Sequence, residues 1–154
     1  MALFRKFIMK KIGLIHGPNL DRLGKRETHI YGKTSLTELE TRLQVQAKKK
    51  SLILQCFQSN HEGLLIDKIA SWADQELSGL IYNFGALTHT SIALHDSLAA
   101  TSFPKIEVHI SNLYQRESFR HHSFTASVAI GVISGLGIKG YDYALDFVNG
   151  KISS

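Results

Sequence analysis

Short apolar runs alternate along the chain with segments whose apolar residues recur every three or four positions, and that alternation predicts strands and helices in turn. Residues 11–16 are apolar and break at Gly17, Pro18 and Asn19, which reads as the end of a first strand. Residues 20–33 form a long polar loop containing Gly24, Arg26, Tyr31 and Gly32; loops of this length in compact domains commonly act as lids. Ser35 and Glu38 have the spacing of a capping box, and Leu36, Leu39 and Leu43 carry helical periodicity to Lys50. A second strand is expected over 51–58, followed by a second capping box at Ser59 and Glu62 and a helix bearing Leu65, Ile69 and Trp72. A third strand covers 79–84, and residues 88–91 cap a helix with Leu94, Leu98 and Ala99. The fourth and fifth strands are placed at 105–110 and 128–134. Tyr141, Ala144, Leu145 and Val148 mark a closing helix that stops at Gly150. Such alternation predicts one α/β domain over 1–154, a three-layer fold whose five-stranded parallel sheet is covered on both faces.

The fourth strand organises the chemistry. Ile106, Val108 and Ile110 alternate with Glu107 and His109, so a carboxylate and an imidazole share one face. Beyond it, Ser111, Asn112, Arg116, Arg120, His121 and His122 enter a loop at the carboxyl edge of the sheet, where ligands of parallel α/β proteins bind. The loops after strands one, three and four should therefore converge on one site. In the lid, Arg26 and Tyr31 form the sharpest pair, because a phenol becomes a base only when a cation beside it stabilises the phenolate.

Composition narrows the classes. A hydrophobic content of 44% in 154 residues suits a single globular core. The net charge of +5 owes four charges to Arg5, Lys6, Lys10 and Lys11, and no basic stripe interleaves with aromatics, so nucleic acid is not an expected partner. Residues 1–10 read as a basic N-terminal extension, with Met9 as an alternative start. Cys56 stands alone in an apolar run, which excludes an intramolecular disulfide and suits a reducing compartment. With neither a signal-peptide core nor an 18-residue apolar span, no membrane association and a cytoplasmic location are expected.

Two motifs mislead. Gly135, Gly137 and Gly140 match the dinucleotide pattern, but the acidic residue it needs about twenty positions later is missing, and the glycines read as tight turns. A flavin-phosphate loop after strand one fits poorly, since Pro18 lacks an N–H and residues 17–24 hold no Ser or Thr. The eight histidines show no zinc-site spacing, so no metal is expected. His16, His29 and His95 read as ordinary polar or surface residues, whereas His61 and His89 stand at helix starts, where capping and ligand contact are both open.

Together, Gly17-Pro18-Asn19-Leu20, Arg26 with Ile30-Tyr31-Gly32, residues 57–63, Asn83 with residues 88–91, residues 107–112 and residues 119–123 resemble type II 3-dehydroquinate dehydratase. These six motifs occur in that family's order over residues 11–150. The resemblance implies a flavodoxin-like fold, a homo-oligomer built as a dodecamer of trimers, and conversion of 3-dehydroquinate to 3-dehydroshikimate in the shikimate pathway or its catabolic counterpart, without cofactor or metal. It implies Tyr31 as base activated by Arg26 and Arg116, His109 oriented by Glu107 as acid, and a water held by Asn19 for the enolate. It also implies a carboxylate anchor at the backbone of Ile110 and Ser111, with Asn83, His89 and Arg120 gripping ring hydroxyls and Asp96 arriving from a neighbouring subunit. Phe84, Leu87, Asp21, His95 and Tyr114 depart from the family pattern; none is a proton-transfer residue. The competing readings are a flavin or nucleotide binder and a dead scaffold, though the latter should have lost Arg26, Tyr31 or His109.

Overall fold

A computed structural model describes residues 8–154, so most of the basic N-terminal extension lies outside the described residues. Five strands and five helices follow in sequence: β1 (Lys10–His16), α1 (Thr28–Tyr31), α2 (Leu36–Lys49), β2 (Leu52–Gln58), α3 (Glu62–Asp74), β3 (Gly79–Asn83), α4 (Ile92–Ala99), β4 (Lys105–His109), β5 (Gly131–Ser134) and α5 (Lys139–Ser153). The strands form one parallel sheet in the order β2-β1-β3-β4-β5. Ile12, Leu14, Ile81, Ile106 and Val108 pack on one face against α2 and α5, while Ile15, Leu80 and Tyr82 pack on the other against α3 and α4. The expected three-layer α/β fold is thus observed. Each fully buried leucine in these layers contributes roughly 1.5–3 kcal/mol of transfer free energy.

Local signals account for much of this. At α2 the capping box forms as expected: Ser35 Oγ accepts from the Glu38 amide at 3.2 Å, and Glu38 accepts from the Ser35 amide at 2.7 Å. At α3 it does not. The Ser59 amide is already given to the His16 carbonyl, and the Ser59 hydroxyl takes the His61 amide instead, so α3 starts from His61 without a side-chain cap. Ser91 caps α4 through the Leu94 amide, after residues 85–89 wind into a 3₁₀ turn.

Other expectations are corrected. β5 is shorter than 128–134, because residues 126–128 turn where the Ser123 hydroxyl takes the Ala126 amide. α5 continues through Gly150, since Ile152 beyond it packs on the core and outweighs the glycine's helix cost of about 1 kcal/mol. His16 is fully buried, its ring against Tyr141 and its Nδ1 3.3 Å from Glu40, without a hydrogen bond at either ring nitrogen. Gly135 and Gly137 adopt φ of 87° and 59°, which fits tight turns. Phe84 is buried and stacks on Tyr82. Burial, with Glu40 nearby, pushes the Cys56 thiol up to about 12 and keeps it unreactive at neutral pH. Among the described residues no helix is long and apolar enough to cross a membrane.

Gly17 sets the approach of β1 to β3 at the sheet's carboxyl edge. A Cβ there would stand 2.4 Å from the Phe84 carbonyl oxygen, and backbone cannot swing aside as a side chain can. Gly17→Ala is expected to destabilise the fold by about 1–3 kcal/mol, read as a lower midpoint in urea denaturation. An unchanged midpoint would mean the loop relaxes freely.

Candidate active site

Strand order reverses between β1 and β3, and the crevice beyond their carboxyl ends is where such sheets take ligands. A cleft of about 210 Å³ lies there. Pro18 and Asn19 follow the end of β1, Asn83 ends β3, His109 ends β4 and Ile110 and Ser111 follow it; Leu20, Leu23, Arg26 and Tyr31 come from the segment between β1 and α2. His89, Arg116 and Arg120 complete the polar lining. Of the residues expected at the site, Glu107 sits directly beneath His109, and Asp96 alone is remote. It lies exposed on α4, where the His95 ring bonds its carboxylate at 2.9 Å.

Alternation along β4 turns Ile106 and Val108 towards α5 and leaves Glu107 and His109 together on the opposite face. His109 Nε2 lies 2.6 Å from Glu107 Oε1. A carboxylate can only accept, so the proton is on Nε2 and Nδ1 is left for a substrate. Burial would push the Glu107 carboxyl up, but the His109 ring, Thr125 and Ser123 together hold it below the usual carboxylate value.

His89 is held in the complementary way. Its Nδ1 donates to the His122 carbonyl at 2.8 Å, which leaves Nε2 as an acceptor. Burial lowers its pKa, and His109 and Arg120 lower it further against the opposing pull of that carbonyl, so the ring is neutral at pH 7. The His89 and His109 rings lie nearly parallel, with centroids 6.3 Å apart.

Of the two arginines expected beside the Tyr31 phenol, Arg116 makes the contact. Arg116 Nη1 donates to its hydroxyl at 2.7 Å and reaches Ser111 Oγ at 3.3 Å. Arg26 lines the same cleft, but its guanidinium is engaged by Glu27 through contacts of 2.6 and 3.2 Å, with its centre 6.0 Å from the Tyr31 ring. Arg120 is paired with Glu117 at 2.8 Å. Asn83 is fixed at both ends of its amide: Nδ2 donates to Tyr141 at 2.8 Å, and Oδ1 accepts from Gly85. Asn19 adopts φ 68°, its amide tied to Asn60 Oδ1 at 2.8 Å.

Sequence reasoning did not single out Thr125, Tyr141 or Asn60. The Ser/Thr cluster from Ser123 to Ser127, directly after the arginine-rich loop, was the available signal for the first. Tyr141 was absorbed into a helical apolar stripe, and nothing in the pattern set its hydroxyl apart.

A doubly wound α/β sheet carrying a buried Glu–His pair and an arginine-bound phenol in one cleft is the kind of arrangement that suits an enzyme moving protons. A family model described as dehydroquinase class II matches residues 10–149. A 3-dehydroquinate dehydratase from Actinobacillus pleuropneumoniae serotype 5b (strain L20) is 55% identical over 139 residues, covering 90% of each chain. One from Bacillus cytotoxicus is 56% identical over 137 residues, covering 89% of this chain and 93% of that protein. The crystal structure of type II dehydroquinase from Butyrivibrio crossotus DSM 2876 superposes with a TM-score of 0.90 at 46% identity, covering 92% of this chain and 98% of that one. The chain belongs to the class II dehydroquinase family, the type II 3-dehydroquinate dehydratases. The resemblance carried by the six motifs is borne out.

Proposed function

We propose that the chain dehydrates 3-dehydroquinate to 3-dehydroshikimate through an enolate, with Tyr31 as base and His109 as acid. The observation that carries this reading is the Arg116–Tyr31 contact across the cleft from the Glu107–His109 pair. The Tyr31 phenolate takes the proton from the carbon beside the ketone, and the electron pair left behind becomes the enolate. As the enolate collapses, the hydroxyl on the next carbon leaves as water with the Nδ1 proton of His109, which enters the step doubly protonated and is left as the neutral ring with its proton on Nε2. Proton transfer from the phenol to the imidazole through water closes the cycle. A water held by Asn19 donates to the enolate oxygen, which needs positioned donors as its charge develops. Ile110 and Ser111 anchor the substrate carboxylate through their amides, while Asn83, His89 and Arg120 grip the ring hydroxyls.

Incubation with 3-dehydroquinate should generate the ultraviolet absorbance of a conjugated enone from a colourless enzyme. A yellow protein with no such absorbance would point instead to a flavin binder.

The two arginines are separable. Arg116→Ala removes the donor on the Tyr31 hydroxyl, and Arg26→Ala removes a cation that a closing lid would transfer from Glu27 to the enolate. Each is expected to lower kcat about a hundred- to a thousandfold. Steady-state kinetics test both roles: an Arg26→Ala enzyme close to wild type would remove Arg26 from the enolate, and an Arg116→Ala enzyme close to wild type would leave the phenol without need of its cation.

The exposed position of Asp96 leaves it free to reach a neighbouring subunit's cleft in a dodecamer of trimers. Asp96→Ala is then expected to raise KM about tenfold, the loss of one hydrogen bond to a charged group. Sedimentation of the wild type should show no appreciable monomer at micromolar concentration. A fully active monomer would remove Asp96 from the site.

A further inference from the structure

We propose that Thr125, assisted by Ser123, is a positioning residue of the dehydration: the two hydroxyls hold Glu107 as a carboxylate and so fix which nitrogen of His109 faces the substrate. This rests on the dehydratase reading above.

Glu107 is fully buried, and its two oxygens face three donors. His109 Nε2 and Ser123 Oγ reach Oε1 at 2.6 and 2.8 Å, and Thr125 Oγ1 reaches Oε2 at 2.6 Å. With Glu107 ionised, the protons of this network converge on it. Ser123 Oγ accepts from the Ala126 amide at 2.9 Å and lies 3.3 Å from Thr125 Oγ1, and the carboxylate at 2.8 Å is the nearer and stronger acceptor for its proton. Thr125 Oγ1 lies 3.3 Å from Thr88 Oγ1; with the Thr125 proton given to Glu107, Thr88 is the donor of that pair. The Thr125 carbonyl is held by the buried Tyr82 hydroxyl at 2.7 Å, which fixes the backbone behind the contact. A protonated Glu107 could keep these contacts only by donating to Thr125 Oγ1 and turning that hydroxyl from donor to acceptor. The anion accepts from all three donors at once, and an accepting Oε1 is matched by a proton on Nε2 of His109.

The groups facing Glu107 are His109 from its own strand, Tyr82 from β3 and His89 from the turn after β3, and none is an anion at neutral pH. Burial alone would raise the carboxyl; the donors and the imidazole hold it low, so its charge is present at neutral pH and lost as pH falls. Removing a donor moves that loss to higher pH.

Thr125→Val keeps the shape and β-branching and removes one hydroxyl, the donor to Glu107 and the acceptor of Thr88. Its kcat is expected to fall about tenfold with KM within about twofold, and the acidic limb of the kcat–pH profile to move about one unit towards higher pH. Thr125→Ser should restore both. An acidic limb superimposable on wild type, or a serine variant as impaired as the valine one, would overturn the proposal. Should the valine variant fail to fold, the half-buried Ser123→Ala decides the matter: a limb shifted in the same direction supports the proposal, and an unshifted one overturns it. Wild type assayed alongside separates the two readings, because failure of the dehydratase reading gives no enone from any of these proteins.

Discussion

Tyr31→Phe is expected to leave a folded protein whose turnover is about a hundred- to ten-thousandfold slower, the usual contribution of a positioned base. The ring is half-buried at the edge of the core and phenylalanine keeps its packing, so the change removes one oxygen and little else. That oxygen is where the Arg116 guanidinium donates. Without it the substrate proton has no acceptor, and the cation is left facing an apolar ring edge. The loss should fall in kcat, since nothing that grips the ground-state substrate has been altered. A Tyr31→Phe enzyme within tenfold of wild type would mean that another group takes the proton.

His109→Gln should cost a similar factor, but at a later point in the reaction. Glutamine can still donate to Glu107, so the buried carboxylate keeps three donors and the fold should survive. It cannot deliver a proton to the departing hydroxyl. The enolate would then form and return, and substrate incubated in deuterated water should exchange the proton beside its ketone while enone formation is about a hundredfold or more depressed. Tyr31→Phe, by contrast, should block exchange and dehydration together. Loss of exchange in His109→Gln would place the imidazole before the enolate and overturn the division of labour between the two residues.

The interplay of local and distant forces is clearest at the two predicted capping boxes. Ser35 and Glu38 are free to bond each other, and they do. Ser59 and Glu62 have the same spacing, but pairing of β2 beside β1 had already taken the Ser59 amide for His16. Likewise the apolar pattern extended the fifth strand back to residue 128, whereas the hydroxyls from Ser123 to Thr125 are committed to a carboxylate on β4, which forces a turn. At Gly150 the propensity for a helix stop lost to the burial of Ile152.

By itself the sequence determined the alternation of strands and helices, the parallel sheet, and the shared face of Glu107 and His109. Each follows from a local period of two or 3.6 residues that neighbours in the chain impose on one another. The motifs also marked the residues that gather at the carboxyl edge. Only the tertiary structure decided that Arg116 rather than Arg26 touches the Tyr31 hydroxyl, that Thr125 and Ser123 complete the shell of Glu107, and that Tyr141 holds Asn83. These contacts join residues between 16 and 85 positions apart. No local period encodes such pairs, because their geometry is fixed by strand order and by which side chains the packed core leaves facing one another.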